Sequence, residues 1–394
     1  MSNLYQASDQ WATRPPDERF GSLAEMLQAT RHYADVAREF EVQPTTIDIA
    51  ERDGEPVVVS IQTGRQSKLT HWAMGQLSAR AGAPADYLRS LPAELAVPNL
   101  RYGLMRRAVE EGDKPVKLLV HEPFASNGHL PLIRAVTGIG YQRFWNYRVV
   151  EGLQALGEVG WQVPPARPAM ADQPGTRVAT ADDVIRGDQW ALSIKEGDLI
   201  APAGLYASDH DMFAFMVNTQ YYITAPGSTT PLYRGFFVSH SEVGESAYKV
   251  FIFWLEHVCG NHIVWNAHNV REISFKHVGK AIERITDHLQ VQLKEYVGQA
   301  TMFEQERLNA LAAKELGASK EEVVDLLFNR RLLSRALAER AYDACETEQT
   351  PIDGSNPRSP WGIAQGLTRI SQMAQYADQR NQIDRMAGKI LEVF

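Results

Sequence analysis

Cysteine is scarce in this chain, whose 394 residues include only Cys259 and Cys345. The two lie far apart and form no Cys-x-x-Cys pair, which argues against a disulfide framework and a cysteine-ligated zinc site. Long apolar runs are also missing, and no stretch approaches the ~20 residues that a membrane span requires. The N-terminal segment lacks the basic and apolar parts of a secretory signal. We therefore expect a cytoplasmic protein with no membrane partner.

An excess of positive charge is absent too. The net charge is -8 and the isoelectric point is near 5.8. This balance argues against a protein whose whole surface binds nucleic acid, although it leaves room for a local basic segment. The chain contains neither a Walker-type loop nor a Gly-x-Gly-x-x-Gly loop, which argues against a nucleotide-driven motor and a dehydrogenase.

The hydrophobic periodicity predicts an α+β protein with a central, mostly antiparallel sheet flanked by helices and with a helical C-terminal region. We expect an N-terminal α/β region over 1–159 that contains a segment rich in basic and aromatic residues. A Pro-, Ala- and Gly-rich stretch over 160–182 is expected to be a linker or long loop. The central antiparallel sheet then occupies 183–275, and the helical region occupies 276–394.

Several local signals are specific enough to place single residues. Ser22 with Glu25 and Ser319 with Glu322 have the spacing of helix capping boxes. The Asp53-Gly54 pair between two alternating apolar stretches predicts a β-hairpin.

Residues 101–148 form the one basic region, with 8 Lys or Arg against 4 Asp or Glu and hence a charge of +4. Cations and aromatic rings alternate at its C-terminal end, at Arg134, Tyr141, Arg143, Phe144, Trp145, Tyr147 and Arg148. Proteins that bind single strands use this composition to contact phosphates and to stack bases. The alternative interpretation of this segment is that the rings are core residues and the arginines line a solvated edge.

The most apolar and aromatic stretch of the chain is Tyr233–Trp265, yet polar residues recur inside it. We expect two core strands of the central sheet here, with polar residues that fix the sheet's geometry. Arg234, Lys249 and Asn261 are the candidates to reach a ligand. Alternatively, Arg234 forms a buried ion pair with Glu242.

A metal site is a further alternative. Asp209, Asp211 and Glu242, together with His257 or His262, supply the ligand types that a divalent metal requires. On a strand, Asp209 and Asp211 point to the same face, as paired carboxylates do in some phosphoryl-transfer sites. No motif with the residue spacing of a known metal site, such as His-Glu-x-x-His, accompanies these carboxylates. Carboxylates at the ends of strands more often have a structural role than a metal-binding one.

Six segments together resemble an uncharacterised family of phage- and plasmid-borne proteins, known as a domain of unknown function. They are QWATRPPDERFGSL, LTHWAMGQLSARAGAPADYL, LIRAVTGIGYQRFWNYRVVEGL, LYASDHDMFAFMV, YRGFFVSHSEVG and VCGNHIVW, and they span most of residues 10–290. The resemblance implies a mobile-element protein of the bacterial cytoplasm. Genes of this family often neighbour single-strand-binding and recombination functions, so the resemblance also favours a role with nucleic acid.

The leading hypothesis is a non-enzymatic, phage- or plasmid-borne protein that handles or anneals single-stranded DNA without a cofactor. Its expected contact residues are Arg134, Tyr141, Arg143, Trp145, Arg148, Arg234, Lys249 and Asn261. The charged faces of the C-terminal helices are typical of a solvent-exposed side, and the alternative is a homo-oligomer with a self-association surface, for which Leu326, Leu327, Leu332, Leu333 and Leu337 are suited. Whether the chain catalyses any reaction stays open. One alternative is a nuclease or hydrolase that uses Asp209, Asp211 and Glu242 to bind a divalent metal. Another is a structural protein that counters a host system.

Overall fold

The computed structural model describes residues 18–122, 130–163, 167–168, 177–189, 194–201, 205–208, 210–224, 231–245, 247–256, 262–263, 273–275, 291, 295, 302–346, 356–372 and 377–394. Their helices are α1 Leu23–Val36, α2 His71–Ala81, α3 Ala85–Ser90, α4 Ala93–Glu111, α5 Asn146–Ala155, α6 Ala181–Gln189, α7 Met302–Ala313, α8 Lys320–Asn329, α9 Arg335–Glu346, α10 Pro360–Gln372 and α11 Ala377–Val393.

The strands are β1 Ala37–Val42, β2 Ile47–Arg52, β3 Glu55–Ser60, β4 Gln66–Leu69, β5 Val116–His121, β6 Leu132–Gly138, β7 Trp161–Gln162, β8 Arg167–Pro168, β9 Arg177–Val178, β10 Leu199–Ala201, β11 Leu205–Ala207, β12 Met212–Thr224, β13 Pro231–His240, β14 Tyr248–Glu256, β15 His262–Ile263 and β16 Ile273–Phe275. Mixed and antiparallel sheets flanked by helices confirm the α+β class.

The first sheet has the order β1-β5-β6-β4-β3-β2 and is curled. Its edge strands β1 and β2 are consecutive in the chain, and their connection from Val42 to Ile47 can span at most about 18 Å. Laid flat, six strands would hold those edges roughly 24 Å apart, at about 4.8 Å per gap. The sheet must therefore bend the edges towards each other. A hydrogen bond from the Ile61 amide to the Thr46 carbonyl (3.0 Å) joins the connection to the end of β3.

Helices α2 and α4 pack inside this curl. Their side chains Met74, Leu77 and Leu100 share one buried cluster with Leu118 and Ile133 of the strands. The hairpin predicted at Asp53-Gly54 is confirmed, because β2 pairs with β3 and both turn residues have positive φ (56° and 79°).

The central sheet is antiparallel throughout its described part, with the order β11-β12-β13-β14-β15 and with β7 and β16 paired to β12 and β14. One face carries Met216, Phe236 and Val250 and packs on α1 and α5. Trp161, from the stretch expected to be a linker, is 2% exposed and packs edge-on against Phe236 at 4.7 Å. The start of that stretch therefore belongs to the core of the central sheet.

Helices α7 to α11 build the second large core, which confirms the helical C-terminal region. Ile223 of β12 and Leu232 of β13 join the same cluster and connect it to the central sheet. Leu327 and Leu333, two of the leucines suited to self-association, are buried inside this core. Among the described helices, none is long and apolar enough to cross a membrane.

A three-stranded sheet, β8-β10-β9, lies beside the N-terminus of α6, where a bidentate ion pair fixes it. Arg177 donates from both terminal nitrogens to the Asp183 carboxylate, each at 2.7 Å. The Thr180 amide (2.9 Å) and hydroxyl (2.8 Å) donate to the same carboxylate. The hydrogen bonds from Arg177, followed by those from Thr180, hold the pKa of Asp183 well below its usual range.

We expect Asp183→Asn to lower the free energy of unfolding at pH 7 by about 1 kcal/mol, because charge-assisted hydrogen bonds are lost and Arg177 is partly solvated. The depressed pKa means that the wild type keeps this contribution above about pH 4 and loses it as the pH falls further, since the unfolded carboxyl then binds a proton more readily. Urea unfolding at pH 7 and pH 3 tests this expectation. An equal difference between variant and wild type at both values would contradict it.

Candidate functional site

Two predicted site residues, Arg134 and Glu242, meet in a buried ion pair where the curled sheet joins the central sheet. Arg134 on β6 donates from Nη1 to Oε1 of Glu242 at 2.7 Å, and both side chains are almost fully buried. The second oxygen of Glu242 accepts from the Asn146 amide at 2.9 Å. Nη1 of Arg134 also lies 3.0 Å from Nε2 of His121. This geometry anchors the turn after β13 to β6 and to the start of α5.

Arg143 extends the same network. Its Nε donates to the Glu39 carboxylate at 2.9 Å, and its Nη1 donates to the backbone carbonyl of Glu242. The guanidinium lies over the Tyr141 and Trp145 rings, 5.5 and 5.6 Å from their centroids. Burial raises the pKa of the Tyr141 phenol. Since the Arg143 side chain is only 2% exposed, the cation stacks within the protein.

Arg234 forms a second buried ion pair, with Glu304 of α7 at 2.8 Å, and both side chains are at most 4% exposed. The expected Arg234–Glu242 pair is therefore wrong, because each residue has a different partner. Arg134, Arg143 and Arg234 cannot contact a phosphate in this fold unless the ion pairs open. Leaving an ion buried without its partner is strongly unfavourable, so these arginines join elements together.

Arg148, by contrast, lies on the surface beside Tyr147. The Arg148 guanidinium is 5.0 Å from the centroid of the Tyr147 ring, and the Arg31 guanidinium of α1 is 5.6 Å from it. Both arginine side chains are more than half exposed. Glu151, one turn along α5, pairs with both guanidinium groups and holds them beside the ring. We call Arg31, Tyr147, Arg148 and Glu151 the arginine–tyrosine patch.

Lys249 lies on the opposite face of the central sheet from the α1 and α5 core. The register aligns Phe213, Ser239 and Lys249 across three neighbouring strands. On the same face, Phe213 stacks on Phe237 at 4.9 Å and meets Phe215 edge-on at 4.8 Å. Lys249 thus lies at the end of the sheet nearest the turn that carries Glu242, but on the face opposite the α1 and α5 core, beside a cluster of rings that the sequence did not single out.

Of the carboxylates considered as metal ligands, Asp211 and Glu242 are engaged by protein donors. Asp211 accepts from the Tyr206 hydroxyl at 2.8 Å and from the Ser208 hydroxyl at 2.5 Å. Within the described part of the chain, no three His, Cys, Asp or Glu side chains form a group that could hold a metal ion. Asp209, His257 and Asn261 lie outside the described residues, so the metal alternative stays a prediction.

The sequence did not point to Arg31, because it lies far from the basic region and is an ordinary charged residue of an amphipathic helix. Only the packing of α1 against α5 brings it to Tyr147. The rules of helix packing do not specify which surface side chains of two helices meet, so they could not have predicted the contact between Arg31 and Tyr147.

Comparison with known proteins gives no relative, since no protein-family model, no curated protein and no solved structure matches the chain. The resemblance to phage- and plasmid-borne proteins therefore stays a prediction. Function has to be inferred from the geometry of the described side chains.

Proposed function

We propose that the protein binds single-stranded nucleic acid, most simply single-stranded DNA, without catalysing a reaction on it. The observation that supports this proposal is the arginine–tyrosine patch. It presents one partly exposed aromatic ring beside two exposed guanidinium groups. An unpaired base can stack on such a ring while the guanidinium groups contact the flanking phosphates.

The patch favours a single strand over a duplex because the bases of a duplex are already stacked and paired. Its two cations face one carboxylate, so the local charge is positive although the whole chain carries -8. Glu151 has two opposing effects: it orients both arginines and it competes with phosphate for them. Removing its charge should consequently strengthen binding.

Tyr147→Ala should weaken binding of a fluorescein-labelled 20-nucleotide strand by about 5-fold or more, because stacking on one ring contributes at least about 1 kcal/mol per base. Arg148→Ala should also weaken binding and should make the salt dependence shallower by about 0.7 in log Kd against log salt. Glu151→Gln should tighten binding. Fluorescence anisotropy across 25–200 mM salt measures all three, with the matching duplex as competitor.

Arg335→Ala is the matched control, because Arg335 also lies over a ring, that of Phe328 at 5.1 Å, and pairs with Asp325 on an exposed surface. Its affinity should equal that of the wild type. Absence of salt-dependent binding by the wild type below tens of micromolar would remove the proposal. Equal affinities of Tyr147→Ala and wild type would remove the patch as the site.

The family resemblance of the sequence would add a setting, the bacterial cytoplasm of a phage- or plasmid-carrying cell, in which single-stranded DNA arises during replication and recombination. Annealing of complementary strands is the finer part of the proposal. It is measured by the rate at which two labelled complementary strands pair with and without the protein. No acceleration would restrict the function to binding.

A further inference from the structure

Helix α4 carries apolar side chains on both of its faces. Its inner face packs into the core of the first sheet through Val97, Leu100 and Leu104. The outer face carries five exposed apolar residues, which we call the α4 seam: Leu95, Pro98, Tyr102, Met105 and Val109. Tyr102 is 68% exposed and Val109 is 87% exposed. A surface helix usually turns polar residues outward, so this face is a candidate for contact with another protein surface.

The spacing of the seam indicates what kind of surface it fits. Its five residues follow one another at intervals of three, four, three and four residues. These are the a and d positions of a heptad repeat, which pack a helix against a second helix whose side chains enter the gaps between them. Pro98 lies inside α4 and removes one of its hydrogen bonds. The closest contact is therefore expected over the three residues that follow it, Tyr102, Met105 and Val109.

Two arginines flank the seam, and both are paired within the chain. Arg101 donates to both carboxylate oxygens of Asp48 on β2, at 2.6 and 2.7 Å. The Arg106 guanidinium lies 3.8 Å from the Glu110 carboxylate, one turn further along α4. A nucleic acid or an anionic membrane surface would therefore find no excess of positive charge here. Another apolar helix face would meet little repulsion.

We propose that the α4 seam packs against α4 of a second copy of this chain, related to the first by a two-fold axis. Such a seam is complementary to itself, because each a or d side chain fits between the side chains of an identical helix. The 19 residues of α4 make a contact line about 28 Å long, at about 1.5 Å per residue. This surface differs from the C-terminal leucines and from the arginine–tyrosine patch.

The area of the seam is sufficient for a reversible dimer. A ring such as Tyr102 covers about 150–250 Å² when it is fully buried. Five partly exposed side chains from each copy therefore bury on the order of 1,000 Å² in total, the lower end of the range for specific protein interfaces. An interface of this size favours a dimer that dissociates in the micromolar range.

Sedimentation velocity of the full chain, without nucleic acid, should show a shift from monomer to dimer between about 1 and 100 µM. Tyr102→Glu should raise the dimer dissociation constant about 30-fold or more, because it places two carboxylates in the middle of an apolar contact. Val109→Glu, at the most exposed position of the seam, should raise it as well. Both substitutions are at exposed positions, and circular dichroism should show unchanged folding.

Ile185→Glu is the matched control, because it places the same charge on an apolar residue of a different helix, α6, that is 59% exposed. Its dissociation constant should equal that of the wild type. A wild type that stays monomeric at the highest concentration would overturn the proposal. So would a dimer that persists unchanged in Tyr102→Glu and Val109→Glu, or one that Ile185→Glu weakens equally.

Discussion

Replacing Glu242 with alanine is expected to lower the free energy of unfolding by about 3–5 kcal/mol, the largest loss among the charged residues of the junction. The substitution leaves the Arg134 guanidinium buried without its carboxylate and removes the acceptor of the Asn146 amide. An unpaired buried charge and an unsatisfied buried donor are both strongly unfavourable. Urea unfolding of the full chain at pH 7 measures the loss.

Two further variants separate this effect from loss of charge in general. Glu110→Ala breaks an exposed pair with Arg106 at 3.8 Å, and should cost less than about 1 kcal/mol. The double variant Arg134→Met with Glu242→Leu should lose less stability than Glu242→Ala, because no charge remains buried alone. A loss below 1 kcal/mol in Glu242→Ala, or a double variant that is much worse, would show that the pair does not anchor the junction.

Gly366→Ala is expected to destabilise the C-terminal helices by about 3 kcal/mol, the upper end of the range for overpacking. A Cβ at this position in α10 would overlap the backbone carbonyl oxygen of Ala341 in α9 and lie 2.7 Å from its carbonyl carbon. Backbone atoms cannot rotate away as side chains do, so the two helices would have to separate. Thermal unfolding followed by circular dichroism should show the lower midpoint.

Gly157→Ala is the matched control, because a Cβ there meets no atom within 4 Å and Gly157 is an exposed position of the 3-10 turn Leu156–Val159. This substitution should leave the free energy of unfolding unchanged or raise it by about 0.4–1 kcal/mol, because alanine lowers the conformational entropy of the unfolded chain. If Gly366→Ala were as mild as this control, the close approach of α9 and α10 would not be required for folding.

Signals that depend on a few neighbouring residues predicted local structure well. The Glu25 amide donates to the Ser22 hydroxyl at 3.2 Å, and the Glu322 amide donates to the Ser319 hydroxyl at 3.3 Å, so both helix starts are confirmed. The Asp53-Gly54 hairpin formed because a two-residue turn of this type requires positive φ, which Asp-Gly tolerates. Both cases need only the local chain.

The partners of the buried charges could not be predicted in the same way. Arg134 lies 108 residues from Glu242, and Arg234 lies 70 residues from Glu304. The sequence suggested no partner for Arg134, and the one alternative it offered for Arg234 was the nearby Glu242. The packing of the sheets and helices decides which carboxylate lies within hydrogen-bonding distance of each arginine. The composition of the sequence does not predict that packing.

The sequence by itself determined the α+β class, the antiparallel central sheet, the helical C-terminal region and individual helix starts, because periodicity and capping are local properties. Only the tertiary structure decided which residues of the basic and aromatic segment reach the surface. It buried Arg134 and Arg143 in ion pairs and left Arg148 exposed beside Tyr147 and Arg31. The curl of the first sheet likewise follows from strand order, since long-range pairing places β1 and β2 at opposite edges.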